Sequence, residues 1–218
     1  PLFTDSLLLG EIVRRAAERH RDRVLFAPLL WLGNSGHHLD FPGTLTAPTR
    51  AYLDVLAGLL QQFLGHGFRR LVILNGHGGN SVPIQQVLSE VRQQHRTRDD
   101  LLLLGATYWS LGGRPKTLDA GFEQDHMGHA CEWETSMMRA LEPRLVRSLD
   151  GIERVSQVEP FEPAARGWIT RERSGPGHIG SPGAATAAKG EALFGLFTED
   201  VCRLLDRVLA WDGRSWDG

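Results

Sequence analysis

The chain has 218 residues, 24 basic against 26 acidic side chains for a formal charge of −2, and only two cysteines. That balance leaves no basic footprint for nucleic acid, and no apolar run approaches the roughly 20 residues that span a bilayer. Cys131 and Cys202 are too far apart in sequence to suggest a disulfide framework, and a chain this long buries enough surface without one; a cytoplasmic setting and one domain over residues 1–218 are the expectations.

In chain order, Asp5 or Ser6 caps a first helix running to His20, with Leu8, Ile12 and Val13 inward. Arg23 to Leu30, reading Val24-Leu25-Phe26-Ala27 and onward, is expected as a strand. A polar loop from Gly33 to Thr46 carries His37, His38 and the turn Phe41-Pro42-Gly43-Thr44. Pro48 begins a second helix, which presents Leu56, Leu59, Leu60, Phe63 and Leu64 on one face and ends at Gly65 or Gly67. Leu71 to Leu74 are all branched and apolar and predict a strand buried on both faces. Asn75-Gly76-His77-Gly78-Gly79-Asn80 follows abruptly, and Ser81 with Pro83 opens a helix that buries Ile84, Val87, Leu88 and Val91.

Leu101 to Ala106 is a further apolar strand, ending at Tyr108-Trp109. Gly112 to Gly128 reads as loop and His129 to Leu141 as helix, stopped by Pro143. Glu159 to Pro182 is a long Pro- and Gly-rich segment carrying His178. The last helix runs from Ala184 to Ala210, with Phe197, Val201, Leu204, Leu205 and Val208 inward. Strands alternating with helices predict an α/β fold, a mainly parallel sheet between helical layers, and ligands in such sheets bind beyond the carboxyl ends of the strands.

His77 stands at such an end. Glycines on both sides clear space around its ring, and Asn75 and Asn80 bring groups suited to orienting it. A second segment, His129-Ala130-Cys131-Glu132-Trp133-Glu134-Thr135-Ser136, puts His129 and Glu132 on one face if it is helical from His129, with Glu134 pointing almost oppositely. Imidazole and carboxylate together are ligand chemistry for a catalytic Zn²⁺ or Mn²⁺, although a solvated polar face has the same composition. Asp5, His77, His129 and Glu132 all lie at strand–helix junctions or helix starts. Those junctions converge on one edge of a parallel sheet, and a carboxylate such as Asp5 suits bridging two cations. His37 and His178 are read as solvated, Trp133 as core with Met137, and Cys131 as a small buried residue. Trp109 and Trp168 are candidates for shaping a pocket.

These residues resemble the creatininase (creatinine amidohydrolase) family. The match is carried by Asn75 to Asn80 and His129 to Ser136. It is supported by Leu2-Phe3-Thr4-Asp5, by His38 with Phe41-Pro42-Gly43-Thr44, and by Gly180-Ser181-Pro182 with Ala185-Thr186-Ala187-Ala188-Lys189-Gly190. The resemblance implies a three-layer α/β/α fold, a centre of two divalent metals (Zn, Mn or Fe), hydrolysis of a cyclic amide, formamide or similar C–N bond, and a homo-oligomer such as a hexamer. It implies Asp5 as bridging ligand, His77 and Glu132 as further ligands, and His129 in proton transfer to the leaving nitrogen. His38, Trp109, Gly78 and Gly79 would face a small-molecule amide substrate. Creatininases proper carry a carboxylate at the position of Gly79, so creatinine itself is not implied.

The family also supplies a glutamate and a histidine ligand just before the Pro-Leu-x-Thr-Asp segment in which this chain begins. The expectation is an N-terminally truncated member, its first strand missing, that binds metal weakly. An inactive scaffold and a phosphate- or nucleotide-binding module built on the Gly76–Gly79 loop are the alternatives.

Overall fold

The structure is a computed structural model and describes all residues but 119, 157, 159, 160, 217 and 218. Glu159, the expected start of the Pro- and Gly-rich segment, therefore lies outside the described residues. The elements in order are helix α1 (Thr4–His20), helix α2 (Thr49–Gly65), strand β1 (Arg70–Asn75), helix α3 (Ser81–Gln94), strand β2 (Leu102–Thr107), helix α4 (Glu132–Leu141), the single turn α5 (Thr170–Arg173) and the long helix α6 (Ala187–Ala210).

β1 and β2 pair in parallel, Arg70 opposite Leu102 through to Asn75 opposite Thr107. The intervening α3 makes the crossover that a parallel pair requires. Two apolar clusters flank this unit. One joins α2, α3 and the start of β2 through Leu53, Leu56, Leu60, Ile84, Val87 and Val91. The other joins α1, α4 and α6 through Leu8, Ile12, Trp133, Met137, Phe194 and Phe197. Leu8, Ile12, Val87, Met137 and Phe197 are wholly withdrawn from water, each adding on the order of 1.5–3 kcal/mol of burial. α4 and α6 cross closely because Gly190 has no side chain: a Cβ there would stand 2.0 Å from the Ser136 carbonyl oxygen.

Several local expectations are corrected. The expected strand from Arg23 to Leu30 is irregular, with Leu25, Leu29 and Leu30 exposed. Only Val24 and Phe26 pack, against the first-helix cluster, so an apolar run was mistaken for a ladder member. β1 is half-buried rather than buried on both faces, because among the described residues it has a ladder partner on one side only. On α2, Leu59 is exposed; the buried stripe is Tyr52, Leu53, Leu56, Leu60 and Leu64, whose residues fall on one face at the α-helical period. Asp5, Ser6 and Ser81 do not cap: α1 follows Phe3 in the left-handed region (φ 61°), and Ser81 is already the first residue of α3. α4 starts at Glu132, so His129 is not on a helix but in an antiparallel bridge with Ile179.

Candidate active site

The chain leaves β1 at Asn75 and turns at Gly76, where a Cβ would lie 3.0 Å from Leu9 Cβ and 3.3 Å from the Asp5 carbonyl oxygen. That glycine lets the loop press against the first turn of α1. The result is the central contact of the site, Asp5 Oδ2 at 2.8 Å from His77 Nδ1. Asn75 sets the loop from behind: its Nδ2 donates to the His77 carbonyl (2.8 Å) and its Oδ1 accepts the His77 N–H (3.1 Å).

The far nitrogen of His77, Nε2, lies 3.1 Å from both Ser35 Oγ and the Asn34 carbonyl. Asn80 Oδ1 accepts the Asn34 N–H at 2.8 Å, and Asn34 Nδ2 donates to the Gly79 carbonyl at 3.1 Å. The histidine-bearing loop is thereby fastened to the glycine loop. Burial works against a charged His77, but the hydrogen bond and charge of Asp5, with the Asn34 carbonyl, outweigh it and raise its pKa.

Three more imidazoles gather here. His37 lies nearly parallel to His77 with ring centres 5.6 Å apart, and His38 stacks on His129 at 4.1 Å. Trp168 meets His37 edge-on at 5.0 Å, and Thr170 Oγ1 lies 2.6 Å from His38 Nδ1. Burial, reinforced by the neighbouring imidazoles, pushes His37 down to about 4 and His38 to about 3. Burial also lowers His129, against the pull of Asp5. These rings are neutral at pH 7, with His77 the one held toward its charged form. His37 is thus half-buried in the stack and not solvated as expected; a lone sequence gives no sign of the ring that covers it.

Glu132 does not join this group. Its side chain is 0 % exposed and forms an ion pair with Lys189 Nζ at 2.6 Å, on the side of α4 that faces α6. The carboxyl whose charge is felt by Asp5 and His77 is that of Glu134, pushed up to about 8 by burial first and by the Asp5 carboxylate second. Its Oε2 accepts the Cys131 N–H at 3.4 Å, as a glutamate at the third helical position does when it reaches back to the helix start. Read with α4 beginning at Glu132, the Cys131-x-x-Glu134 spacing would have pointed to it.

Among the substrate-facing expectations, Gly78 is exposed with open space around it, whereas Gly79 is packed: a Cβ would lie 2.2 Å from the Asn34 carbonyl oxygen and 2.6 Å from His37 Cε1. Gly79 thus seats the loop against the Asn34 and His37 segment, while Gly78 stays open. Trp109 borders a neighbouring cavity of about 600 Å³ together with Arg114, Asp125, His126 and Trp133. His178 is held through Nε2 by the Glu153 carbonyl at 2.8 Å.

The creatinine amidohydrolase family model matches residues 1–205. The chain belongs to the creatininase family. This creatininase-family hydrolase is 29% identical to a mycofactocin precursor peptide peptidase of Mycobacterium tuberculosis, over 97% of this chain and 79% of that protein. It is 28% identical to a creatinine amidohydrolase of Pseudomonas putida, over 90% and 79%. A crystal structure of creatininase superposes with a TM-score of 0.77 at 25% identity, covering 94% of this chain and 82% of the other. Solved creatininases described as a Zn–Zn form and as a Mn form match with TM-scores of 0.75 and 0.76 at 26% and 25% identity, over the same shares. The α/β fold is that of the family, and no described helix is long and apolar enough to cross a membrane.

Proposed function

We propose that this creatininase-family chain hydrolyses a C–N bond of an amide with the help of a divalent metal held on the Asp5–His77 side of the site. The 2.8 Å contact between these two side chains carries the reading. It places an oxygen and an imidazole donor together at the carboxyl end of β1, and the relatives described as Zn–Zn and Mn forms support such a cation.

The residues fit that cation in part. Asp5 and His77 supply two donors, and Glu134 adds a half-buried carboxyl whose pKa is raised by burial and by the Asp5 carboxylate, a pattern a cation would relieve. Yet among the described residues no three His, Cys, Asp or Glu side chains stand close enough to hold an ion by themselves. Glu134 replaces Glu132 as the carboxylate considered for this role, because Glu132 is committed to Lys189. When bound, the metal would polarise the scissile carbonyl and lower the pKa of a water.

The chain's own groups do the rest. His129, neutral in the resting site, is placed to take a proton on a ring nitrogen and pass it to the departing nitrogen. His38 holds the His129 ring from the other side, and Gly78 leaves the approach open. Trp109 and the cavity beside it are the proposed seat of the substrate's remaining part. Both a cyclic amide and a peptide tail are candidate substrates, since the creatinine amidohydrolase and peptide peptidase relatives match about equally well.

The test is hydrolysis of creatinine, of an N-formyl amine and of short peptides by the 218-residue chain, before and after chelation. Turnover of one class, lost on chelation and restored by Zn²⁺ or Mn²⁺, is the expected result. His129→Ala and His77→Ala should each lower it by roughly 10²-fold or more. Metal-independent turnover that survives His77→Ala would overturn the proposal.

A further inference from the structure

Glu132 is wholly buried, and the partners of its carboxylate are Lys189 and two backbone amides rather than the site imidazoles. What it holds is the pair of loops that carry His129. Its Oε2 accepts the Glu123 and Gln124 N–H groups, both at 2.9 Å, and its Oε1 receives Lys189 Nζ at 2.6 Å. Lys189 Nζ also donates to the Ala184 carbonyl at 2.8 Å. Gln124 Oε1 in turn accepts the Glu132 N–H at 2.8 Å and the Ser181 N–H at 2.7 Å.

The 122–131 segment, the 178–184 segment and the start of α6 are therefore joined through one carboxylate, one ammonium and one amide. Between the first two runs the bridge that seats the imidazole: the His129 N–H donates to the Ile179 carbonyl at 2.9 Å, and the Ile179 N–H to the His129 carbonyl at 2.7 Å. The fit has no slack. A Cβ on Gly128 would lie 2.0 Å from the Ile179 carbonyl oxygen, and one on Gly180, at φ +125°, 2.4 Å from Gln124 Oε1.

We propose that Lys189, Glu132 and Gln124 act as positioning residues, a latch that holds the two loops together and so keeps the His129 ring stacked on His38. A buried ion pair is a poor source of stability in itself, because desolvation offsets most of the attraction. Its use here is orientation: two charges with fixed hydrogen bonds define one arrangement of three backbone segments, where an apolar pair would allow several. The inference deepens the reading of His129 as the proton-transfer group and rests on it for its catalytic meaning, while its structural content stands alone.

The experiment compares parent, Lys189→Met and Lys189→Arg as full chains. Histidine carbethoxylation by diethyl pyrocarbonate is followed residue by residue by mass spectrometry, with exposed His66 at the end of α2 as the reference and buried His20 reporting global loosening. In Lys189→Met, His129 should label about tenfold faster relative to His66 while His20 is unchanged, as local opening requires. Lys189→Arg, which keeps the charge, should restore protection. Should Lys189→Met not fold, Lys189→Met/Glu132→Gln removes both charges together and carries the same comparison. Where amide hydrolysis is measurable, kcat should drop about tenfold with KM little moved. Unchanged His129 labelling in folded variants, or His20 rising in step with it, overturns the latch. Absence of hydrolysis by the parent would instead refute the proposed function and leave the labelling result decisive.

Discussion

Gly79→Ala is the sharpest perturbation of the site. Its Cβ would have to occupy a point 2.2 Å from the Asn34 carbonyl oxygen, 2.6 Å from His37 Cε1 and 2.7 Å from His77 Nε2. The first is backbone, tied by the Asn34 N–H to Asn80 and by Asn34 Nδ2 to Gly79 itself. The other two are rings packed in the stack, so neither side yields cheaply. Separating the loops by about 1 Å would lengthen the Asn34–Asn80 and Asn34–Gly79 hydrogen bonds and the Asn34–His77 contact together. Overpacking costs about 1–3 kcal/mol and each loosened hydrogen bond about 1 kcal/mol, so a loss of about 3 kcal/mol is expected. For a chain of this size that is a fall in Tm of about 6–12 °C, read by circular dichroism. Gly78→Ala is the control: nothing lies within 4 Å of its Cβ position, and a Tm within about 2 °C of the parent is expected. Equal Tm values for the two variants would refute the packing of the two loops described above.

Two further outcomes follow from packing and charge. Gly190→Ala should not accumulate as folded protein, because its Cβ would sit 2.0 Å from the Ser136 carbonyl oxygen and 2.9 Å from Met137 Cα; Gly195→Ala, on the same helix with no atom within 4 Å, should stabilise by about 0.5–1 kcal/mol in denaturant unfolding. The Glu11 carboxyl is held down at about 2, first by its hydrogen bond to Arg14 and then, against burial, by Arg15. A depressed carboxylate adds stability above its unfolded pKa and loses it as pH falls through the folded one. Glu11→Gln should therefore flatten part of the acid loss of stability between pH 4.5 and about 2, by about 1 kcal/mol given that Arg14 is largely exposed.

The sequence carried the parallel β1–β2 unit and the helix order, because each rests on a local signal, an apolar run or a proline-opened amphipathic helix; it carried the Asp5–His77 contact because strand–helix junctions of a parallel sheet converge on one edge. It failed where the deciding contact came from elsewhere in the chain. Choosing Glu132 over Glu134 followed from starting α4 at His129. In the structure Ala130 takes a positive φ of 45° and the helix begins two residues later, which takes His129 off the helix and leaves Glu134 in its first turn, reaching back to the Cys131 N–H. His37 looked solvated because its covering ring, Trp168, lies far downstream. Residues Arg23 to Leu30 looked like a strand because composition does not reveal whether a neighbour offers its edge.

The Glu132–Lys189 pair has a consequence for how mutational surveys of such enzymes are interpreted. A scan scored only by product formation would rank Glu132 beside Asp5 and His77 and credit it with chemistry, although its oxygens are occupied by an ammonium and two amides. On the proposed roles, the acids of this site fall into two kinds, one meeting the reactant and one keeping a distant imidazole aimed, and a tally of lost turnover alone would not separate them.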